Sequence, residues 1–179
     1  MILAVDVHYE RNHAVTGGAL FRRWDDAFPD IEIVSELDEI NQYEPGEFYK
    51  RELPCILKLL KDHSLNPEYI IIDGYVYLDG HSSPGLGKYL FDALEGNIPV
   101  IGVAKSHYKN IPQDYGLLRG KSKKPLFITA VGTSLSQAKR FLLKMHGENR
   151  IPTLLKHVDT LCRDIHYRRL NSGGITHDR

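Results

Sequence analysis

Four acidic residues and one lysine set the chemical question. Asp6 interrupts an otherwise apolar run in ILAVDVHY, and Asp73 ends another in YIIIDG. Glu52 stands in KRELP, Asp159 in RIPTLLKHVDTLCRD, and Lys105 closes GVAKS. Two carboxylates brought within a few ångströms repel, and one of their pKa values rises. A divalent cation with oxygen ligands removes that conflict, and Mg²⁺ or Mn²⁺ fits such a set. Several carboxylates with a lysine beside them suit metal-assisted hydrolysis of a phosphodiester. Each residue also has a plain structural alternative. Asp6 could hydrogen-bond a strand end, Asp73 could cap the following loop, and Glu52 could favour the dipole of the helix it begins. Asp159 and Lys105 could be solvated surface groups, and His81 an exposed loop histidine or a proton carrier.

The elements that must position these residues follow from periodicity. ILAVDVHY (2–9) and HAVTGGALF (13–21) read as a hairpin, with Gly17 and Gly18 marking a bulge or a close backbone approach. DIEIVSEL (30–37) alternates and predicts a third strand. Phe48, Leu53, Ile56, Leu57 and Leu60 have helical spacing between 46 and 63. YIIID (69–73) and IPVIGVAK (98–105) are apolar throughout, as strands covered on both faces are, and LGKYLFDALEG (86–96) between them is helical. PLFITAVG (125–132) pairs with about 115–119, Ser134 or Ser136 caps a helix through His146, and the last helix runs from about Pro152 to Arg169.

A meander of three strands feeding right-handed crossovers gives an α/β fold. Its mixed five-stranded sheet has the order 3-2-1-4-5 and is flanked by helices, with an additional C-terminal hairpin and helices. In that order the first and fourth strands are neighbours where the chain changes direction, and ligands of open α/β sheets bind at such points, beyond the carboxyl ends of the strands. Asp6 and Asp73 meet there. The 179 residues suit one domain, 1–170, with 171–179 as a flexible tail.

Composition narrows the class. With 42% hydrophobic and 26% charged residues, and no apolar run near the ~20 residues that a bilayer span needs, a soluble chain is expected. MILAVDV carries no basic leader, so a cytoplasmic location is expected, and Cys55 and Cys162 read as buried free thiols. The net charge of +0 gives no argument for a polyanionic partner. Its distribution says more, because Lys105, Lys109, Arg119, Lys121, Lys123 and Lys124 face Asp114 alone over 105–124. That segment either follows a nucleic-acid backbone or is a solvated loop.

The chain resembles the endonuclease V family. The likeness lies in AVDVHY, YEPGEFYKRELP, IIDG, PVIGVAKS, PLFITAVG and RIPTLLKHVD, in the family's order and over nearly the whole chain. It implies a ribonuclease H-like fold and a Mg²⁺-dependent (or Mn²⁺-dependent) endonuclease acting near deaminated purines, chiefly inosine, in DNA or RNA, leaving 3'-hydroxyl and 5'-phosphate ends. By position, Asp6, Glu52, Asp73 and Asp159 match metal ligands and Lys105 the catalytic lysine. Tyr43 to Pro45 match the wedge that enters the duplex, and Gly46, Phe48 and Gly74 the pocket for the flipped base. The family's loop histidine corresponds to His81, while Asp79 takes the unshifted position. A monomer with no membrane partner is expected. A ribonuclease H-like nuclease with another structural target, or a silent nucleic-acid-binding module, are the alternatives.

Overall fold

A computed structural model describes residues 1–40, 42 and 44–172, with the side chains of 169–172 excepted. The expected wedge residue Tyr43 lies outside the described residues, as do 173–179 of the tail. Seven strands form one sheet: β1 (Ile2–Glu10), β2 (His13–Phe21), β3 (Ile31–Asp38), β4 (Tyr69–Asp73), β5 (Val100–Ala104), β6 (Gly116–Leu117) and β7 (Leu126–Val131). Four α-helices accompany them: α1 (Tyr49–Asp62), α2 (Leu86–Ala93), α3 (Leu135–Lys144) and α4 (Thr153–Ser172). The sheet order is β3-β2-β1-β4-β5-β7-β6. The five strands expected in the order 3-2-1-4-5 are in that order. The hairpin β6–β7 extends the same sheet, β7 running antiparallel to β5.

Side-chain alternation along each strand divides the molecule into two cores. Leu3, Val5, Ile70, Ile72 and Val100 pack with α1 and α2 through Ile56, Leu59, Leu86 and Leu90. Ile2, Ala4, Ile71, Ile101 and Val103 pack instead with α3 and α4 through Ala138, Leu142, Leu154 and Val158. Continuing that parity, Asp6 follows Ala4, Asp73 follows Ile71, and Lys105 follows Val103. All three belong to the face that α4 covers. β1 and β4 are parallel with Val5 opposite Ile72, so Asp6 and Asp73 are the next residues of adjoining strands. Asp73 in turn stands opposite Val103 of β5, two residues before Lys105.

The two glycines of β2 create no bulge: the β1–β2 register runs unbroken through Asp6–Gly17 and Val5–Gly18. Their reason is close approach. A Cβ on Gly17 would stand 3.3 Å from the Cβ of Cys162, and one on Gly18 2.8 Å from Ile33. Gly17 therefore lets α4 settle against the sheet beside Asp6. Helix α3 begins as expected, with Ser134 accepting a hydrogen bond from the amide of Gln137 at 3.2 Å. Helix α4 reaches Ser172, beyond the expected end.

Candidate active site

Asp6 in the middle of β1, Asp73 at the end of β4 and Lys105 just past β5 lie side by side across three adjacent parallel strands at the switch point. Glu52 arrives from the first turn of α1, where it is only 7% exposed. Asp159 comes from α4. One cleft of about 320 Å³ is lined by Asp6, His8, Glu52, Asp73, Asp159 and Arg163, among others. The helical phase that the sequence left open for Asp159 is thus settled: it faces the strand ends.

The electrostatics show how crowded this charge is. Burial, then Asp73, then Asp159 push the Asp6 carboxyl up to about 7 from 3.8. Glu52 is pushed well above its ordinary value, first by burial and then by Asp6 and Asp73, with Arg51 opposing. Two cations answer part of this charge. Lys105 Nζ donates to Asp73 Oδ2 at 2.9 Å, and Arg163 Nε donates to Asp159 Oδ1 at 2.9 Å. Burial alone would lower the Lys105 ammonium, but Asp73 outweighs it and its pKa is raised, so the side chain is charged at neutral pH. For Asp159 burial acts upward, and Arg163 outweighs it and holds the carboxyl below its usual value. Asp6 itself accepts the Val7 amide at 2.9 Å.

The donors are all oxygens crowded into one cleft, and burial, reinforced by neighbouring like charge, raises the pKa of two of them, Asp6 and Glu52. This is the condition a hard divalent cation relieves, so the residues fit Mg²⁺ or Mn²⁺ by chemistry. Among the described residues no group of three or more histidine, cysteine, aspartate or glutamate side chains already stands at metal-holding spacing. Asp73 and Asp159 are engaged with Lys105 and Arg163 instead.

Gly74, with φ of 131°, turns the chain directly after Asp73 into a second cavity of about 350 Å³. Gly46, Phe48, Tyr49, Tyr75, Leu78 and Leu86 are among its lining. Tyr75 is fixed there by donating to Ser106 O at 2.6 Å and accepting the Tyr108 amide at 3.1 Å. Phe48 and Gly74 line both cavities, so the apolar one adjoins the carboxylates.

In the loop after Gly74, Asp79 and His81 have different surroundings. Asp79 accepts the amides of His81, Ser82 and Ser83 at 3.0, 2.8 and 2.9 Å and also bonds the Ser82 hydroxyl. Asp79 therefore organises the turn. His81 is exposed and is not among the lining of either cavity. Pro45 is exposed in the turn before α1, and Lys121, Lys123 and Lys124 are exposed between β6 and β7. Cys55 and Cys162 are buried free thiols, the latter pushed up to about 12 by burial, then by Asp6 and Asp159.

The parts played by three residues went unread at the level of sequence. Arg163 stands four residues after Asp159 on α4, a spacing that could have revealed it. His8, two residues beyond Asp6, shares its face of β1 and could have been found by parity. Arg150 donates to the carbonyls of Lys124 at 3.0 Å and Pro125 at 2.8 Å, and to that of Lys105. It ties the segment before α4 to the end of β5. Backbone carbonyls carry no sequence signal, so nothing could have foretold those bonds.

A sequence model of the endonuclease V family matches residues 1–160, which contain every residue of this site except Arg163. No curated protein matches the sequence. Among solved structures, endonuclease V from Streptomyces avermitilis is similar at 26% identity and a TM-score of 0.76, over 94% of this chain and 82% of its own. That from Bacillus subtilis is 18% identical with a TM-score of 0.79, over 96% and 82%. That from Ciona intestinalis, solved with a 24mer DNA containing an inosine followed by a ribo-adenosine, is 19% identical with a TM-score of 0.76, over 93% and 86%. The last two likenesses concern the fold, which is ribonuclease H-like. The match over residues 1–160 carries the identity: the chain belongs to the endonuclease V family.

Proposed function

We propose that the chain is a Mg²⁺-dependent endonuclease, with Mn²⁺ as a substitute, that hydrolyses phosphodiester bonds near deaminated purines in DNA or RNA. It leaves 3'-hydroxyl and 5'-phosphate ends. The observation that carries this reading is the convergence of Asp6, Glu52, Asp73 and Asp159 on one cleft, where burial and then repulsion from Asp73 and Asp159 lift Asp6 to about 7. A binding module would gain nothing from four carboxylates, one of them buried and three half-buried, crowded together beside a polyanion. The inosine-containing DNA bound by the Ciona intestinalis relative supports the choice of substrate.

Asp6, Glu52, Asp73 and Asp159 would hold the cation. When bound, it polarises the phosphate and brings the pKa of water toward neutrality. The protein's own groups do the rest. Lys105, charged and half-exposed, reorients from Asp73 toward the charge that develops on the phosphate oxygens. Gly74 and Gly46 offer backbone close to a flipped base, and Phe48 offers a face on which it stacks, in the apolar cavity beside Asp73. Tyr43 and Pro45 act as the wedge. His81 stands apart from the cleft and would serve as proton carrier once a strand is bound. Lys121, Lys123 and Lys124 follow the backbone of the substrate. The protein acts as a monomer on nucleic acid. Among the described residues no helix is long and apolar enough to cross a membrane.

The test is cleavage of end-labelled oligonucleotides, DNA and RNA, with and without one inosine, in Mg²⁺ and in Mn²⁺. Inosine-dependent cutting that Asp73→Ala abolishes supports the proposal. Cutting of branched or flapped strands but not of inosine strands would transfer the site to another target. Tight binding without cleavage in either metal would make the chain a silent binder.

A further inference from the structure

The catalytic cleft has two sides, and on the α4 side the proposed function uses Asp159 alone. The apolar cavity opens beside Phe48 and Gly74. On the other side, α4 carries Asp159, Arg163 and Tyr167 at intervals of four residues, which places them in one row along the helix. Asp159 and Arg163 line the cleft, as does His8 from β1. Tyr167 continues the row outward. The residue is 56% exposed, although its ring lies 6.4 Å from the His8 ring at an interplanar angle of 37°.

This arrangement is held from behind. His166 is 3% exposed, with Nε2 2.8 Å from Glu10 Oε2. Its ring meets His8 edge-on at 4.9 Å and Tyr167 at 6.1 Å and 71°. The buried histidine thus fixes both outer rings at the end of β1. Arg163, with its side chain 53% exposed, stands between this aromatic shelf and the carboxylates. A guanidinium next to aromatic faces, continuous with a cleft for phosphodiesters, is the combination that grips single-stranded nucleic acid: the cation takes a phosphate and the rings take unpaired bases.

We propose that Arg163, Tyr167 and His8 form a strand-binding subsite for an unpaired nucleotide, on the side of the carboxylates away from the apolar cavity. Arg163 contacts the backbone phosphate next to the site of cleavage, and Tyr167, backed by His8, stacks on the base that follows. The subsite would make the enzyme depend on unpaired nucleotides on one flank of the lesion only. It rests on the nuclease reading for its orientation. Its existence as a binding surface does not depend on cleavage.

The experiment places 2-aminopurine at successive positions on either flank of the inosine in a single-stranded oligonucleotide and measures fluorescence and affinity in Ca²⁺. With the unaltered protein, quenching is expected at one or two adjacent positions on one flank. Tyr167→Ala and Tyr167→Leu should both remove the quench and weaken binding on the order of ten-fold, whereas Tyr167→Trp should restore both. Leucine keeps the bulk without a π-face, so its failure separates stacking from support of the helix. Arg163→Ala should lower the salt slope of binding by about one, and Arg163→Lys should keep it. Cleavage of the same oligonucleotides is followed separately in Mg²⁺. Tyr167-dependent quenching without any inosine-dependent cutting would sink the nuclease reading and leave the subsite standing. Normal cutting with equal affinity and quenching in the unaltered, alanine and leucine forms would overturn the subsite. So would the absence of position-dependent quenching in the unaltered protein.

Discussion

Among the described residues, two clusters of charge lie against the fold and are treated in opposite ways. Between β6, α3 and α4, the guanidinium of Arg119 donates to the carbonyls of Leu142 at 3.0 Å, Asn149 at 2.6 Å and Met145. Arg150, one residue beyond Asn149, donates to those of Lys124, Pro125 and Lys105. Each cation meets three acceptors, and the two together lash the end of α3 and the start of α4 to Lys105, just past the end of β5. At the strand ends nearby, four carboxylates share Lys105 and Arg163. The first cluster is satisfied and works as scaffold. The second is frustrated without a further cation, and that is the signature of a site kept for chemistry at the expense of stability.

The largest expected effect breaks the second cluster. Asp73→Ala removes a side chain that stands between Asp6 and Lys105, and cleavage should fall by on the order of a thousand-fold, several kcal/mol of transition-state stabilisation. Single-turnover rates in saturating Mg²⁺ measure this, and a rate within ten-fold of the unaltered enzyme would contradict a ligand role.

The next effect concerns pH. The folded Asp6 carboxyl titrates near 7 and the unfolded one near 3.8, so the native state holds the proton more tightly. The stability tied to that proton is fully present below about pH 4 and is lost as pH rises toward 7, by at most about 4 kcal/mol. Asp6→Asn should therefore raise the stability of the metal-free protein above pH 7, leave it nearly unchanged at pH 4, and still abolish cleavage. Denaturant melts across that range in EDTA show it; parallel curves for the two proteins would deny the crowding of charge.

The satisfied cluster should respond otherwise. Arg150→Ala leaves three carbonyls without their donor and should lower stability by about 2–3 kcal/mol at every pH. It should also lower kcat more than it raises KM, because Lys105 loses its anchor. Equal stability of the variant would show that solvent replaces the clamp. The smallest effect belongs to the exposed lysines. Replacing Lys121, Lys123 and Lys124 by glutamine should weaken binding and flatten its salt dependence while leaving the single-turnover rate within about two-fold; an unchanged salt slope would remove them from the substrate's path.

Much of the frustrated cluster is readable in the sequence because it violates a pattern. Asp6 and Asp73 break apolar strands, and alternation alone puts both on the same face as Lys105. Glu52 was legible as a first-turn residue of a covering helix. Asp159 needed the structure, since helix phase could not be fixed from one apolar stripe, and so did the approach of α4 that Gly17 permits. The hairpin of β6 and β7 was read as an addition to the sheet. Its antiparallel pairing to β5 depends on packing of α3 beneath it, which the strand pattern does not contain. The satisfied cluster was nearly silent. Arg119 and Arg150 bond to carbonyls 23 to 45 residues away, and any residue type supplies a carbonyl. Function announces itself here by broken rules, and scaffold hides in kept ones.

The central claim is that separate acidic segments jointly grip one hard cation. Anomalous diffraction from crystals soaked in Mn²⁺ tests it most directly. A peak is expected in the cleft lined by Asp6 and Asp73, which would hold the cation, with Lys105 released from Asp73 and the peak lost in Asp6→Asn. Saturating Mn²⁺ that leaves the Lys105–Asp73 pair intact and no peak between the two aspartates would contradict it.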